Sequence, residues 1–160
     1  IEEGHSPITL YGMSAGGGAV INILSVIYGS QPSNLSPDER KKIGCELEKG
    51  IIILDVPFRS IDEIIAHRGC SSPELALIAK RHQENNMCPI EALQKLKNLH
   101  LDIIVYIAKP DEVISNRDDE IFIKYLKAAN SLGTTTVIYG EKGRHSGCHK
   151  ELWNYYKTRP

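Results

Sequence analysis

Three short stretches of this sequence carry the side chains that nucleophilic catalysis requires. Residues 12–16 have the sequence Gly-Met-Ser-Ala-Gly, in which Ser14 supplies a hydroxyl among glycines. A serine hydroxyl is a weak nucleophile near neutral pH, so it needs a base within hydrogen-bonding distance and a group that orients the base. Later in the chain, Asp111 and His145 supply a carboxylate and an imidazole. These residue types together predict attack by the serine on a carbonyl group.

The residues on either side of Ser14 predict a strand, a sharp turn and a helix. Residues 7–11 are apolar without interruption, which is typical of a strand covered on both faces of a parallel sheet. From Gly16 onward apolar side chains recur every three or four positions, as in a helix. The pattern G-x-S-x-G between them predicts a strained turn that presents the hydroxyl above the carboxyl end of the sheet. We expect glycine at Gly12 and Gly16 because a Cβ there would strike the neighbouring strand or helix.

Other glycine motifs fit this stretch less well. A dinucleotide-binding fingerprint needs a glycine where Ser14 stands, and a P-loop needs a lysine followed by serine or threonine where Ala19 and Val20 stand. The remaining structural alternative is a glycine turn that contains a serine with no chemical role.

The rest of the chain alternates between strand and helix patterns. Strands are predicted at residues 50–56, 101–108 and 134–139, and helices at residues 36–48, 118–132 and 149–156. Between the second and third strands, residues 60–99 favour helices. This alternation predicts one α/β domain over residues 1–160, with an open, mostly parallel, doubly wound sheet.

Asp111 and His145 follow consecutive predicted strands. Ligands of open parallel sheets gather at the carboxyl ends of the strands, and the separation of 34 residues is about what one helix and one strand occupy. His149 competes with His145 for the role of base. Three carboxylates compete with Asp111: Asp118, Asp119 and Asp55. The other histidines show no spacing typical of a metal site, so no metal or cofactor is expected.

Charge and composition narrow the choice of partners. The 160 residues include 19 basic and 20 acidic side chains, for a net charge of -1, so binding to nucleic acid is not expected. Every apolar stretch is shorter than the roughly 20 residues that span a bilayer. The four cysteines form no CxxC pair, which favours reduced, buried thiols, and a cytoplasmic location is favoured over secretion.

In their order, these motifs resemble the C-terminal half of an α/β-hydrolase, in which a serine, an acid and a histidine follow one another along the chain. The matching stretches are residues 11–17, 103–111 and 143–145. The resemblance implies a serine hydrolase that cleaves a small-molecule carboxylic ester or thioester through an acyl-enzyme. Residues 57–99 lie where this family often inserts a helical cap or lid.

The same resemblance implies a role for each residue. Ser14 would be the nucleophile, His145 the general base and acid, and Asp111 the orienting carboxylate, although some lipases of this family take the acid from the preceding strand, where Asp55 stands. The backbone N–H of Ala15 would be one oxyanion donor.

The match to the family is incomplete at the start of the chain. A second oxyanion donor comes from a loop after an early strand, and almost nothing precedes residue 8. Residues 8–11 would form an exposed apolar edge, which soluble proteins avoid. We therefore expect an N-terminal half, or another chain, against this strand. An acyltransferase on the same fold and a non-catalytic binding module remain alternatives.

Overall fold

In the part of the chain that the structure describes, four strands form one sheet with parallel pairing throughout. The computed structural model describes residues 7–29, 32–57, 73, 77, 80, 89–109, 111, 113, 119–141, 144–145 and 149–159. The strands are β1 (Thr9–Met13), β2 (Ile51–Asp55), β3 (Asp102–Ala108) and β4 (Thr134–Gly140). They pair in chain order, so their carboxyl ends share one edge of the sheet. This is the open parallel sheet that the sequence predicts.

Helices lie between the strands and after the last one. The described helices are α1 (Ala15–Tyr28), α2 (Pro37–Glu48), α3 (Pro89–Lys95), α4 (Asp119–Ala129) and α5 (Lys150–Thr158). The predicted start of α2 is confirmed by a capping box. The Ser36 hydroxyl accepts a hydrogen bond from the Glu39 N–H at 3.2 Å, and the Glu39 carboxylate accepts one from the Ser36 N–H at 2.8 Å.

The larger hydrophobic core lies on the face of the sheet covered by α1 to α4. Ile52 and Leu54 of β2 belong to this core. Since successive side chains of a strand point to opposite faces, the uninterrupted apolar run of β2 needs cover on both sides. Other buried members of this core come from α1, α3, β3 and α4: Ile21, Leu24, Leu93, Ile103, Val105, Phe122 and Leu126.

A smaller core lies on the opposite face of the sheet, under α5. Ile51 and Ile53 of β2 pack there with Tyr106 of β3 and Leu152 of α5. Leu152 is the one buried residue within α5. Burial of a side chain of this size contributes about 1.5–3 kcal/mol. The side chain of Leu152 therefore anchors the helix that follows the predicted histidine loop.

The first strand lies at an edge of the described sheet and is not covered on both faces as predicted. Its side chains at Tyr11 and Met13 are 45% and 41% exposed, whereas Ile8 and Leu10 are partly buried against the larger core. Among the described residues, β1 pairs only with β2. The prediction of double cover is therefore wrong for β1, because the face that carries Tyr11 and Met13 is left exposed by the described residues.

The predicted helical insertion at residues 57–99 lies mostly outside the described residues. Its last part is described, and there α3 packs against α1 and α4. Leu93, Leu96 and Leu99 enter the larger core. Residues 89–99 are thus part of the layer that covers the sheet, and a cap over the site stays a prediction for the remainder.

Cys45 on α2 is a free thiol, as predicted, but it is exposed, so the prediction that it is buried is wrong. The other three cysteines, Cys70, Cys88 and Cys148, lie outside the described residues. None of the described helices has the length and apolar character needed to cross a bilayer.

Asn130 joins the amino ends of β3 and β4 through a buried network. Its carbonyl oxygen accepts a hydrogen bond from the Leu101 N–H at 3.0 Å, and its amide donates to the Leu101 carbonyl at 3.0 Å. The same amide contacts Thr134 and Thr135 of β4. Because Asn130 is buried, water cannot replace these partners.

We expect Asn130→Ala to lower the free energy of unfolding by about 1–3 kcal/mol, since it leaves buried polar groups of the backbone unpaired. Urea unfolding followed by circular dichroism measures this change. Asn154→Ala on the exposed side of α5 is the control and should stay within about 0.5 kcal/mol of the wild type. Equal unfolding midpoints for the two variants would contradict the assigned network.

Candidate active site

The carboxyl ends of three strands bring the sequence-predicted residues together. Ser14 directly follows β1, Asp111 lies three residues after β3, and His145 lies five residues after β4. His145 Nε2 lies 2.8 Å from the Ser14 hydroxyl, and His145 Nδ1 lies 2.9 Å from the Asp111 carboxylate. A hydroxyl, an imidazole and a carboxylate therefore form one hydrogen-bonded row, although the first and second are 131 residues apart.

The backbone of Ser14 is strained. Its φ is 51° and its ψ is -118°, in a region that L-residues other than glycine rarely adopt. Such a conformation costs about 1–3 kcal/mol and persists only where neighbouring contacts impose it. Here the Ser14 N–H donates to the Asp55 carbonyl at 2.9 Å, and the Ser14 carbonyl accepts from the Gly17 N–H at 3.0 Å. The turn is thus held from both β2 and α1.

The Ser14 hydroxyl is not used to cap the helix that it precedes. Ser14 occupies the N-cap position of α1, where a serine side chain commonly accepts a hydrogen bond from the first turn. No such capping bond is present at Ser14. Its oxygen instead bonds the His145 ring. The Ser14 side chain therefore does not cap α1, which is the usual structural role of a serine at the N-cap position.

The Asp111 carboxylate fixes the tautomer of His145. One Asp111 oxygen accepts a hydrogen bond from the Val113 N–H at 2.7 Å, and the other faces His145 Nδ1. A carboxylate accepts and does not donate, so these partners assign the ring proton to Nδ1. Nε2 then has a lone pair that accepts a hydrogen bond from the Ser14 hydroxyl. Asp111 and His145 are nearly buried, with 4% and 10% of their side chains exposed.

The loops that carry Asp111 and His145 are also joined to each other. The Lys109 N–H donates to the carbonyl of Gly140, the last residue of β4, at 2.9 Å, which continues the pairing one residue past the end of β3. The Lys109 ammonium and the Glu141 carboxylate form an ion pair on the surface. An exposed pair of this kind contributes little free energy, so the backbone bond is the main tie.

The glycines of the turn differ from the sequence prediction. A Cβ on Gly12 would lie 2.4 Å from the Gly16 carbonyl oxygen, as expected for a tight strand–helix contact. A Cβ on Gly16 would meet no atom within 4 Å, so the steric reason predicted for Gly16 is wrong. The constrained helical glycine is Gly17, whose Cβ would lie 2.9 Å from the Cβ of Pro57.

Alanine variants should separate these glycines. Gly16→Ala should keep or raise stability by up to about 1 kcal/mol, because alanine is the better helix former. Gly17→Ala gains the same propensity but forces contact with Pro57, so it should lower stability by about 1–3 kcal/mol relative to Gly16→Ala. Gly12→Ala should be the most damaging. Thermal unfolding of the three variants tests this order, and equal midpoints for Gly16→Ala and Gly17→Ala would contradict it.

The competing residues form a second pair beside the row. Asp55, the last residue of β2, bonds His149 Nδ1 through one oxygen and accepts a hydrogen bond from the Tyr11 hydroxyl at 2.8 Å through the other. Among the other competing carboxylates, Asp119 lies in the first turn of α4, and Asp118 is outside the described residues. Of the two histidines, His145 is the one that the described hydrogen bonds join to Ser14 and Asp111.

Two tyrosines near this second pair keep their protons. Burial, the hydrogen bond to Asp55 and the charge of Asp55 all raise the pKa of Tyr11 above its ordinary value. Burial and the charges of Glu151 and Asp55 raise the pKa of Tyr106 to about 12. Both hydroxyls are therefore hydrogen-bond donors at neutral pH.

Within the described residues, no group of three or more His, Cys, Asp or Glu side chains is arranged to hold a metal ion.

A solved esterase shares this arrangement of strands and helices. An esterase from Pyrococcus furiosus superposes with a TM-score of 0.57 over 96% of this chain, at 16% sequence identity. The chain has an α/β-hydrolase fold. It covers 51% of that esterase and so spans about half of its length. No protein-family model matches the sequence.

A deformylase gives a weaker structural match. The N-formylmaleamic acid deformylase of Pseudomonas putida has a TM-score of 0.45 and 15% identity, over 92% of this chain and 64% of its own.

Within the α/β-hydrolase fold of this chain, sequence reasoning missed two contacts. One is the close approach of Gly17 to Pro57, and the other is the pairing of Asp55 with His149. Both join segments far apart in the chain, so no local pattern reveals them. The available signal for the pair was that each residue adjoins the carboxyl end of the sheet, where polar side chains meet.

Proposed function

We propose that this chain carries the catalytic residues of a serine hydrolase that cleaves carboxylic esters or thioesters through an acyl-enzyme. The observation that carries the proposal is the hydrogen-bonded row of Ser14, His145 and Asp111. Ser14 lies on a strained turn, and its hydroxyl makes no capping hydrogen bond to α1. Strain of this kind concentrates at functional sites, because a fold that gained nothing from it would relax.

The first half of the reaction forms the acyl-enzyme. The Ser14 oxygen attacks the carbonyl carbon while its proton passes to His145 Nε2, and Asp111 stabilises the resulting imidazolium. The carbonyl oxygen becomes an oxyanion, and the Ala15 N–H at the start of α1 donates a hydrogen bond to it. The bond to the leaving alcohol or thiol then breaks, and that group takes the proton from His145.

The second half of the reaction restores the serine. A water molecule gives a proton to His145 Nε2 and attacks the acyl carbon. The bond between the Ser14 oxygen and the acyl carbon breaks, and the proton returns from His145 to Ser14. The acid leaves, and the site is again in its starting state.

The esterase from Pyrococcus furiosus supports the proposal through its fold. That protein is described as an esterase, and it superposes on this chain with a TM-score of 0.57. A non-catalytic module would be favoured by a long distance between Ser14 and His145, and their distance is 2.8 Å. An acyltransferase would use the same row, with an alcohol or amine in place of water.

A fluorophosphonate probe tests the nucleophile. We expect it to label Ser14 in the intact protein, and Ser14→Ala to abolish the labelling. Asp111→Asn should slow the reaction about 10,000-fold, because it disturbs the tautomer of His145. The exposed residues Ser131 and His100 provide the controls Ser131→Ala and His100→Ala, which should react as the wild type does.

Two results would decide against parts of this proposal. Folded protein that stays unlabelled over long incubation would exclude Ser14 as a nucleophile. Labelling of Ser14, followed by transfer of the acyl group to an added alcohol or amine in preference to water, would identify an acyltransferase. Product analysis with short-chain p-nitrophenyl esters and competing acceptors separates these outcomes.

We also propose that a further strand pairs with the outer edge of β1 in the intact protein. The support is the exposure of Tyr11 and Met13 on an edge strand, which soluble proteins usually protect. The loop that follows such a strand would also supply the second oxyanion donor, whose loss typically costs about 100- to 1,000-fold in rate.

Amide hydrogen exchange of the intact protein tests this pairing. The β1 amides that face away from β2 should exchange as slowly as those of the central strand β3, because both would be hydrogen-bonded on either side. Exchange of the outward amides at the rate of an exposed loop would show that the edge is free.

A further inference from the structure

The pair formed by Asp55 and His149 is unusual because it is almost completely buried. The two residues are 2% and 1% exposed. A buried carboxylate is costly unless its oxygens are paired, and both oxygens of Asp55 are paired here, one with His149 Nδ1 and one with the Tyr11 hydroxyl. The fold thus supplies a partner for each oxygen of the buried carboxylate. The row of Ser14, His145 and Asp111 does not require this pair chemically.

The partners of the His149 ring fix the number of protons on the pair. His149 Nε2 lies 2.7 Å from the Arg144 carbonyl oxygen. A carbonyl only accepts hydrogen bonds, so Nε2 carries a proton and donates it. A second proton lies between Nδ1 and Asp55, because an unprotonated ring nitrogen and an ionised carboxylate oxygen would repel each other. Tyr106 stacks on the ring with a centroid distance of 4.4 Å. The ring is therefore held at both nitrogens and on one face.

Both ends of the pair lead back to the candidate active site. On one side, the Asp55 carbonyl accepts a hydrogen bond from the Ser14 N–H at 2.9 Å. On the other side, His149 bonds the carbonyl of Arg144, which is joined by a peptide bond to His145. The bond between His145 and Ser14 closes the path. We call this closed path the anchoring circuit: Ser14, Asp55, His149, Arg144 and His145.

We propose that His149 is a positioning residue that sets the place of His145 relative to Ser14 by holding the Arg144 carbonyl. This inference rests on the proposed function. His145 lies in a loop outside the described helices and strands, so regular backbone pairing does not fix it. A displacement of about 1 Å at a reacting group can cost about 100-fold in rate, which makes such a tie valuable. Asp55 holds His149 by its side chain and Ser14 by its backbone.

A purely structural role is the competing explanation. In that case His149 would serve only to pair the buried Asp55 carboxylate, and its bond to Arg144 would be incidental. The two explanations assign importance to different ring nitrogens. Nδ1, which faces Asp55, matters for pairing of the carboxylate, whereas Nε2, which faces Arg144, matters for positioning.

Two amide variants separate the two nitrogens. The amide nitrogen of glutamine lies at about the distance of Nε2 from the backbone, so His149→Gln can keep the bond to Arg144. The amide nitrogen of asparagine lies at about the distance of Nδ1, so His149→Asn can keep the bond to Asp55. We expect His149→Asn to slow the inactivation step with a fluorophosphonate probe about 10- to 100-fold, with little change in probe binding. His149→Gln should stay closer to the wild type.

A control matched for lost stability completes the comparison. Asn130→Ala removes buried hydrogen bonds at the amino end of the sheet, away from the anchoring circuit, and should leave the inactivation step unchanged. The proposal is overturned if His149→Asn reacts at least as fast as His149→Gln, or if Asn130→Ala loses as much rate as His149→Asn.

Proton NMR gives a readout that does not need a reactive serine. In the wild type, His149 should show protons at both ring nitrogens, and His145 should show the downfield Nδ1 proton that bonds Asp111. His149→Asn should broaden or shift the His145 signal, and His149→Gln should retain it. If the fluorophosphonate probe does not label the wild-type protein, the proposed function is wrong. The ring-proton signals of His145 and His149 still test whether His149 positions His145. Absence of a proton at His149 Nε2 in the wild type would overturn that positioning role even where the variants fail to fold.

Discussion

Parallel pairing of the strands in chain order is the constraint on which the candidate site depends. It places the carboxyl ends of the four strands at one edge of the sheet. Ser14, Asp111 and His145 lie just beyond that edge. The pairing in turn depends on burial of apolar side chains on both faces of β2 and β3, because a strand with two apolar faces has no stable position in water. Core packing and site geometry are therefore two results of the same arrangement.

Two of the three described non-glycine residues with a positive φ lie where this edge is tied together, and the third, Asn98, lies before the amino end of β3. Ser14 has a φ of 51°, and Val56, the residue after β2, has a φ of 42° although it is β-branched. Each donates its N–H across to the neighbouring strand, Ser14 to the Asp55 carbonyl and Val56 to the Tyr106 carbonyl, both at 2.9 Å. The strand ends are thus linked stepwise from β1 to β3. At about 1–3 kcal/mol for each strained residue, these conformations need the support of the whole sheet.

Local patterns were sufficient for most of the strands, helices and turns, because each depends on residues near one another in sequence. The row of Ser14, His145 and Asp111 required in addition the order of the parallel strands. The capping box at Ser36, the apolar run of β2 and the turn at Ser14 are all encoded within a few residues, and the positions of Asp111 and His145 follow from the strands that they adjoin. Contacts between distant segments were not predictable in this way. Gly17 is constrained by Pro57 and not by its own helix. Asp55 pairs with His149, 94 residues away, and no pattern near either residue indicates this pairing.

The separation of 131 residues between Ser14 and His145 has a consequence for how the protein matures. Contacts between residues so far apart pay their loop-closure entropy late, after the strands between them have paired. A chain that has collapsed but has misaligned one strand would therefore keep much of its helix content while its serine lacked a base. Under the proposed function, labelling of Ser14 would report on completion of the native topology. It would distinguish fully folded molecules from compact intermediates that backbone spectroscopy would count as folded.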